Sequence, residues 1–314
     1  MPEPRTRLQR WAGEAMTRCD GAVVTLGNFD GVHAAHRFML ARVVEQARAQ
    51  GLKACVVTFE PTPLEFFRGD EAPARLMTLV EKHAMFAELG LDRHVSARFD
   101  GAMAQMAPED FARRLLAQTL GARRVVVGHD FRFGRQRSGS VATLREVGAR
   151  EGFEVEEIAA RYHGDLLISS TAVRNALADS DFALAEALLG RRYAMSGRVI
   201  RGQQLGRTLG FATANLRPRR RVLPLHGIFA VRVSDRHALV DYPAIASLGT
   251  RPTVNGRGHL LEVHLFDFQG NLYGRRLRVE FVEKLRDEAK FSSLDAMTEQ
   301  MHRDAHAARA VLGI

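Results

Sequence analysis

Two histidines three residues apart, His33 and His36, have the side chains and the setting for phosphate chemistry. The turn before them reads Gly27-Asn28-Phe29-Asp30-Gly31, between an apolar run at 22–26 and a segment with helical periodicity. The first turn of a helix binds anions through its free N–H groups and its dipole, and histidines there can donate hydrogen bonds to phosphate oxygens. Alternatively, the glycines only shape a turn and the histidines cap the helix. The succession of a strand, a glycine turn and a helix favours an anion-binding site over a simple helix cap.

Two later segments repeat this setting. The first, Gly128-His129-Asp130-Phe131-Arg132-Phe133-Gly134, follows an apolar run at 125–127, and its aromatic rings could flank a planar ligand. The second opens a short helix with Ser169, Ser170 and Thr171 and carries Arg174 one turn later. Hydroxyls and an arginine suit a polyphosphate. Each segment alone is also compatible with an ordinary loop or a plain helix cap, but their position after strands predicts one shared sheet edge.

A glycine-rich stretch at 197–215 contains Gly197, Gly202, Gly206 and Gly210 and ends in Thr213-Ala214-Asn215. It matches neither the P-loop nor the dinucleotide-binding fingerprint. Such a flap could cover a triphosphate, and Thr213 and Asn215 could hold Mg²⁺, which prefers hard oxygen ligands. The alternative is a set of β-turns with a polar edge.

Glu262 lies on a strand-like run at 261–268. The apolar side chains at 261, 263 and 265 are expected on one face, with Glu262, His264 and Phe266 on the other. Phosphoryl transfer to an alcohol uses a carboxylate near the hydroxyl and a metal on the phosphates. Glu262 is therefore a candidate general base, and the alternative is a solvated strand residue.

The elements that position these residues change in character along the chain. From Ala22 to about Ile158, β-rich runs alternate with helical ones, which predicts a parallel sheet covered by helices. After about Arg191, strand-like runs follow one another between glycines, which predicts an antiparallel barrel or sandwich. A last helix is expected to begin near Ser292, with Asp295 completing a capping box. We therefore expect an α/β domain at 1–186 and a β-barrel domain at 187–314.

The amino-acid composition excludes several classes of protein and indicates the location and partners of this one. The chain has 314 residues, 46% hydrophobic and 26% charged, which is typical of globular proteins and excludes a disordered or collagen-like chain. Two cysteines predict a reducing compartment, with the cytoplasm as the default. No stretch has the roughly 18 apolar residues of a membrane span, so secretion and insertion are not expected. The net charge of +9 favours anionic partners, either nucleotide phosphates or nucleic acid.

The order of these motifs resembles that of the bacterial bifunctional riboflavin kinase/FMN adenylyltransferase family, also called FAD synthetase. The resemblance runs from about Val23 to Leu312. The segments that carry it are GNFDGVHAAH at 27–36, TFEPTPLEFF at 58–67, VVVGHDFRFG at 125–134, ISSTAVR at 168–174, GFATANL at 210–216, SLGTRPT at 247–253 and LEVHLFDFQGNLYG at 261–274.

For the first domain, the resemblance implies a Rossmann-like nucleotidyltransferase in which the phosphate of FMN attacks the α-phosphate of ATP and releases pyrophosphate. His33 and His36, with the loop at 27–31, would hold the phosphates. The β- and γ-phosphates would be bound at 169–174 through Ser169, Ser170, Thr171 and Arg174. The family places its flavin where this chain has Phe67, Asp130 and Phe131.

For the second domain, the resemblance implies a riboflavin kinase barrel. Glu262 would take the proton of the riboflavin 5′-hydroxyl, and Thr213 and Asn215 would position Mg²⁺-ATP beneath Gly202, Gly206 and Gly210. The expected partners are riboflavin, FMN and ATP, with neither nucleic acid nor membrane.

Three residues depart from the family pattern. Ala35 stands where a glycine usually precedes the second histidine, and its methyl group could crowd the adenine. Thr62 replaces a histidine in the Pro-x-Pro element, and Ala212 replaces the proline usual before Thr213. The first departure leaves open a riboflavin kinase with an impaired adenylyltransferase domain.

A different class of protein stays as the rival hypothesis. A pI of about 10.3 and four arginines at 217–221 would also suit a basic nucleic-acid-binding protein. The arginine run itself is better explained as a solvated loop.

Overall fold

The computed structural model describes residues 6–12, 21–202, 211–253 and 256–314, with the backbone alone at 251–253 and 256–257. The chain divides into two compact units. The first unit is Met1–Pro73 with Met77–Ser170, and the second is Ala74–Leu76 with Thr171–Ile314. The domain boundary expected at 186/187 stays a prediction.

A six-stranded parallel sheet forms the centre of the first unit, as the alternating pattern predicted. Its strands are β1 (Arg7–Trp11), β2 (Ala22–Leu26), β3 (Lys53–Glu60), β4 (Arg93–Arg98), β5 (Ala122–Gly128) and β6 (Glu154–Ile158), in the order β1-β4-β3-β2-β5-β6. A two-stranded hairpin, β7 (Tyr162–His163) with β8 (Leu166–Leu167), follows the sheet.

Helices cover both faces of this sheet. They are α1 (Ala34–Ala49), α2 (Pro63–Arg68), α3 (Leu79–Glu88), α4 (Gly101–Ala104), α5 (Pro108–Phe111) with a π-helical continuation at Ala112–Thr119, and α6 (Val141–Glu151). Alternate residues of β2 enter separate cores: Val24 packs with Leu115 on one face, and Val23 packs with Leu40 of α1 on the other. The strands are apolar on both sides because both sides are buried.

The second unit contains a closed barrel in the order β10-β13-β12-β11-β14-β9, with every strand antiparallel to its neighbours. Its strands are β9 (Ala194–Ile200), β10 (Ala214–Leu216), β11 (Gly227–Asp235), β12 (Tyr242–Thr253), β13 (Gly256–Leu265) and β14 (Arg276–Arg286). The helices are α7 (Ser170–Ala178), α8 (Phe182–Leu189) and α9 (Leu294–Leu312). Of the helices described, none is long and apolar enough to cross a bilayer.

Three local expectations were wrong. Ser293, not Ser292, caps α9, because its extended backbone lets its side chain accept a hydrogen bond from the Ala296 N–H. Phe266 lies beyond the end of β13 and is buried rather than on the open face. Arg220 does not belong to a solvated loop: it is buried, and its guanidinium donates to the backbone carbonyls of Arg75, Leu76 and Pro218.

Candidate functional sites

One edge of the parallel sheet gathers the loops that the sequence singled out. Strands β3, β2 and β5 are neighbours and run parallel, so the loops that follow them leave at the same edge. These loops begin at Gly27, Pro61 and His129. The structure thus confirms that the GNFDGVHAAH and GHDFRFG segments share an edge.

The two histidines of the first loop are in direct contact. His33 is the N-cap of α1, and its Nδ1 accepts a hydrogen bond from the His36 N–H at 3.4 Å. Their rings stack with centroids 3.6 Å apart. Because Nδ1 of His33 accepts this hydrogen bond, the ring carries its proton on Nε2, which is a hydrogen-bond donor.

His36 is held neutral by its surroundings. Burial, followed by the charges of His33 and Lys82, lowers its pKa well below the usual value of 6.5. Its Nδ1 is buried and has no hydrogen-bond partner among the residues that the structure describes. A neutral imidazole with an unused nitrogen can exchange hydrogen bonds with a ligand.

The backbone of this loop is strained. Phe29 has φ 46° and Val32 has φ 41°, a region that β-branched and aromatic residues seldom adopt. Neighbouring groups hold the loop: the Asp30 carboxylate accepts a hydrogen bond from the Met77 N–H at 3.0 Å, and Ser170 Oγ donates to the Asp30 carbonyl at 2.8 Å. Such conformations persist where surrounding contacts over-determine them.

Ser170 is therefore the member of the hydroxyl segment that the structure ties to the histidine loop. Ser169 is half-buried just before α7. Thr171 and Arg174 belong to the second compact unit, where Arg174 Nε donates to the Ala74 carbonyl at 2.6 Å. The phosphate-binding role of these residues stays a prediction.

Phenylalanine rings lie in both segments that the resemblance assigns to the flavin. Phe67 on α2 is 66% exposed, and its ring contacts Phe66 and Phe99 at 5.2 and 5.8 Å between centroids. In the loop after β5, Phe131 stacks on Phe133 at 5.4 Å, and Asp130 is exposed. An exposed phenylalanine held by other rings suits the face of a planar ligand.

Thr62, one of the departures from the family pattern, has a structural role here. It is the N-cap of α2 and forms a capping box with Glu65, so it fixes the start of the helix that carries Phe67. The Thr-Pro-Leu-Glu spacing is the sequence signal that could have indicated this role.

A cleft of about 810 Å³ opens on the barrel. Thr213 and Asn215 both line it, together with residues 267–273 and Arg309 of α9. Asn215 is buried, with 6% of its surface exposed. Gly206 and Gly210 lie outside the described residues.

Strand pairing brings Glu262 beside Asn215. The two residues are directly opposite each other in the antiparallel ladder of β10 and β13, and such cross-strand side chains lie on the same face about 5 Å apart at Cβ. Ser247 of β12 is opposite Glu262 on its other side. As predicted, the residues at 261, 263 and 265 are buried while Glu262 and His264 are partly open.

Two contacts that sequence reasoning missed support the Thr213–Asn215 segment. His264 Nδ1 lies 2.9 Å from the Ala212 carbonyl, so the protonated nitrogen donates to it. Phe211 packs between the rings of His264 and His302, each at 5.0 Å. The turn that lacks the family's proline at Ala212 is thus held by a side chain from β13.

Gly202 makes room for Asn215. A Cβ at Gly202 would lie 2.5 Å from Asn215 Nδ2 and 2.7 Å from its Cγ, which is closer than non-bonded atoms approach. We expect Gly202→Ala to displace the Asn215 carboxamide. The riboflavin kinase activity that the resemblance implies should then fall about 10- to 100-fold, the effect of an ångström-scale misplacement. The measurement is the rate of FMN formation.

The matched control for that change is Gly101→Ala. A Cβ at Gly101 meets no atom within 4 Å, so FMN formation should keep its normal rate. An unchanged rate in Gly202→Ala would show that the Asn215 carboxamide does not serve this reaction.

Comparisons with known proteins bear on both units. The family model described as FAD synthetase matches residues 16–172, and the one described as riboflavin kinase matches residues 189–312. A bifunctional riboflavin kinase/FMN adenylyltransferase from Escherichia coli (strain K12) is 45% identical over 94% of both chains. Relatives of the same description from Pseudomonas fluorescens and Haemophilus influenzae are 45% and 42% identical over 93% and 92% of this chain.

A solved structure resembles nearly the whole chain. It comes from Streptococcus pneumoniae and is described as a macrolide-efflux protein. The match has a TM-score of 0.79 and 26% identity, and it covers 96% of this chain and 98% of that one. That description belongs to the other protein; the two chains share their fold.

Proposed function

We propose the site roles that follow from one premise: this chain belongs to the bifunctional riboflavin kinase/FMN adenylyltransferase family. It carries both reactions of that family, the phosphorylation of riboflavin to FMN and the adenylylation of FMN to FAD. ATP is the second substrate of each.

In the first unit, an oxygen of the FMN phosphate bonds to the α-phosphorus of ATP while the bond to the β-phosphate oxygen breaks and pyrophosphate leaves. His33 Nε2–H and the neutral His36 donate hydrogen bonds to the phosphates, and the amides at the start of α1 add the positive end of its dipole. Ser169 and Ser170, at the end of this unit, bind the departing β- and γ-phosphates. The proposal is supported by the stacked histidine pair at the N-terminus of α1.

FMN takes its place on the aromatic side of the same edge. Phe67 offers an exposed ring face to the isoalloxazine, and Asp130 and Phe131 border it from the loop after β5. Stacking needs little more than a flat apolar surface, which this aromatic group supplies.

In the barrel, Glu262 accepts the proton of the riboflavin 5′-hydroxyl as its oxygen bonds to the γ-phosphorus of ATP and ADP leaves. The observation that carries this assignment is the pairing of Glu262 with Asn215, which lines the cleft. A carboxylate is thereby placed next to the residues proposed to hold the ATP complex.

Mg²⁺ fits the same residues. The hydroxyl of Thr213 and the amide oxygen of Asn215 are the hard ligands that this ion prefers, and both residues line the cleft. When bound, Mg²⁺ neutralises charge on the β- and γ-phosphates.

Incubation of the protein with riboflavin, ATP and Mg²⁺ should give FMN first and FAD second by chromatography. Absence of FMN would overturn the kinase assignment. FMN without FAD would indicate an impaired first unit. Ala35→Gly should then restore FAD, because Ala35 is the second residue of α1 and the substitution removes the methyl group expected to crowd the adenine.

The rival hypothesis loses its main support. One of its four arginines, Arg220, is buried, and its guanidinium donates hydrogen bonds to backbone carbonyls. The run at 217–221 is therefore not a continuous basic patch. We propose riboflavin, FMN and ATP as the partners rather than nucleic acid. We propose the cytoplasm as the location, since the chain has only two cysteines.

A further inference from the structure

A lysine is buried below the histidine loop of the first unit. Lys82, on α3, is 0% exposed. Its Nζ donates to the carbonyl of Asn28 at 3.1 Å. One turn further along α3, the ring of Phe86 meets that of Phe29 edge-on, with centroids 5.9 Å apart. Helix α3 therefore touches the loop through a charged contact and an apolar one.

Stability alone does not explain a lysine at this position. Removing an ammonium group from water costs several kcal/mol, and an apolar side chain of similar volume is often as stable or more stable in its place. On the same helix Met85 and Phe86 are buried as apolar core, and the buried Glu81 is used in the capping box with Thr78. The charge at Lys82 therefore calls for a role beyond packing.

The Asn28 carbonyl is the point at which the loop enters its strained conformation. Asn28 immediately precedes Phe29, which has φ 46°, and the loop reaches His33 through Val32 at φ 41°. The hydrogen bonds from Met77 and Ser170 are both made to Asp30, further along the loop. The bond from Lys82 thus fixes the peptide before the first strained residue.

The ammonium also lies near the groups that would meet ATP. Its charge contributes to lowering the pKa of His36, after burial and the effect of His33. It contributes in the same way at His94, whose pKa is lowered to about 3, mainly by burial. A fixed positive charge this close adds to the attraction of the anion-binding turn for phosphate.

We propose that Lys82 is a positioning residue for adenylyl transfer, holding the Asn28 carbonyl and with it the strained loop that presents His33 and His36 to the phosphates of ATP. The inference rests on the proposed function of that loop. Lys82 acts through the loop backbone, and no contact between its ammonium and FMN is required.

The test compares Lys82→Met with Lys82→Arg, with FMN, ATP and Mg²⁺ supplied. Methionine keeps the length of the chain but removes donor and charge, so kcat for FAD formation should fall about 100-fold, as expected when reacting groups shift by about 1 Å. The KM for FMN should change less than threefold, because the flavin surface is untouched. Arginine keeps a charged donor, so kcat in Lys82→Arg should be at least tenfold higher than in Lys82→Met.

Two controls separate positioning from unfolding. Lys53→Met makes the same change at an exposed site of the first unit and should leave FAD formation normal. Trp11, the only tryptophan, is buried in the first unit, so its fluorescence follows the unfolding of that unit. Riboflavin phosphorylation should be unchanged in every variant.

The outcomes are distinct. A normal kcat in Lys82→Met overturns the proposal. So does an equal loss of kcat in Lys82→Arg, provided that Trp11 fluorescence shows the first unit unfolding at its normal temperature. If Lys82→Met does not fold, a kcat in folded Lys82→Arg within tenfold of normal supports the proposal, and a larger loss there overturns it. A normal rate in His36→Ala would instead refute the proposed role of the loop itself.

Discussion

Replacing Glu262 by Gln is expected to lower riboflavin phosphorylation by about 10²- to 10⁴-fold, the usual contribution of a general base. Glutamine has nearly the same shape but cannot accept the proton of the 5′-hydroxyl. The loss should appear in kcat, with little change in the KM for riboflavin, because the base acts in the transition state. FAD formation should keep its normal rate when FMN is supplied, since the first unit does not use Glu262.

Glu283→Gln is the matched control for that change. Glu283 is an exposed residue of β14, in the same barrel, and its substitution should leave both reactions normal. If Glu262→Gln phosphorylated riboflavin at the normal rate, the pairing of Glu262 with Asn215 would be only structural. If it stopped both reactions in a folded protein, the assignment of two separate sites would be wrong.

The sequence predicts the parts of this protein that depend on local pattern. Alternation of apolar and helical segments predicted the parallel sheet and the shared edge of its loops, because parallel strands of one sheet end on the same side. Alternation along β13 predicted which side of the strand carries Glu262. Both predictions need only the spacing at which apolar residues recur along the sequence.

Partners far apart in the sequence were not predictable in this way. Lys82 reads as one more polar residue on an amphipathic helix, and only the packing of α3 on the loop shows that it meets Asn28. Gly202 was grouped with the other glycines as a phosphate loop, whereas its missing Cβ leaves space for Asn215. In both cases the explanation is a contact set by tertiary structure.

Arginines were the least predictable side chains. Arg220 and Arg174 each have a long stem that can reach several environments, and both donate to carbonyls of the Ala74–Leu76 segment. A high count of arginine suggests anionic partners, but a guanidinium with five donors can equally satisfy backbone oxygens. Charge composition alone therefore could not assign them.

His36→Ala is expected to lower FAD formation from FMN by about 10²- to 10³-fold, the cost of removing one donor aimed at developing charge. Alanine keeps α1 intact. His33 can still cap the helix, because it accepts from the backbone N–H of residue 36, which alanine retains. Riboflavin phosphorylation should be normal. The measurement is the rate of each reaction in the same preparation, with FMN supplied for the second.

His163→Ala, at an exposed position of the β7–β8 hairpin, is the control and should leave both rates normal. The pH profile gives a second check. Because burial lowers the pKa of His36 well below 6.5, the ring is neutral at about pH 7 and above. The intact protein should therefore lose no FAD formation through protonation of His36 as the pH falls from about 8 to 7. A His36→Ala variant that forms FAD at the normal rate would mean that the stacked pair only caps α1.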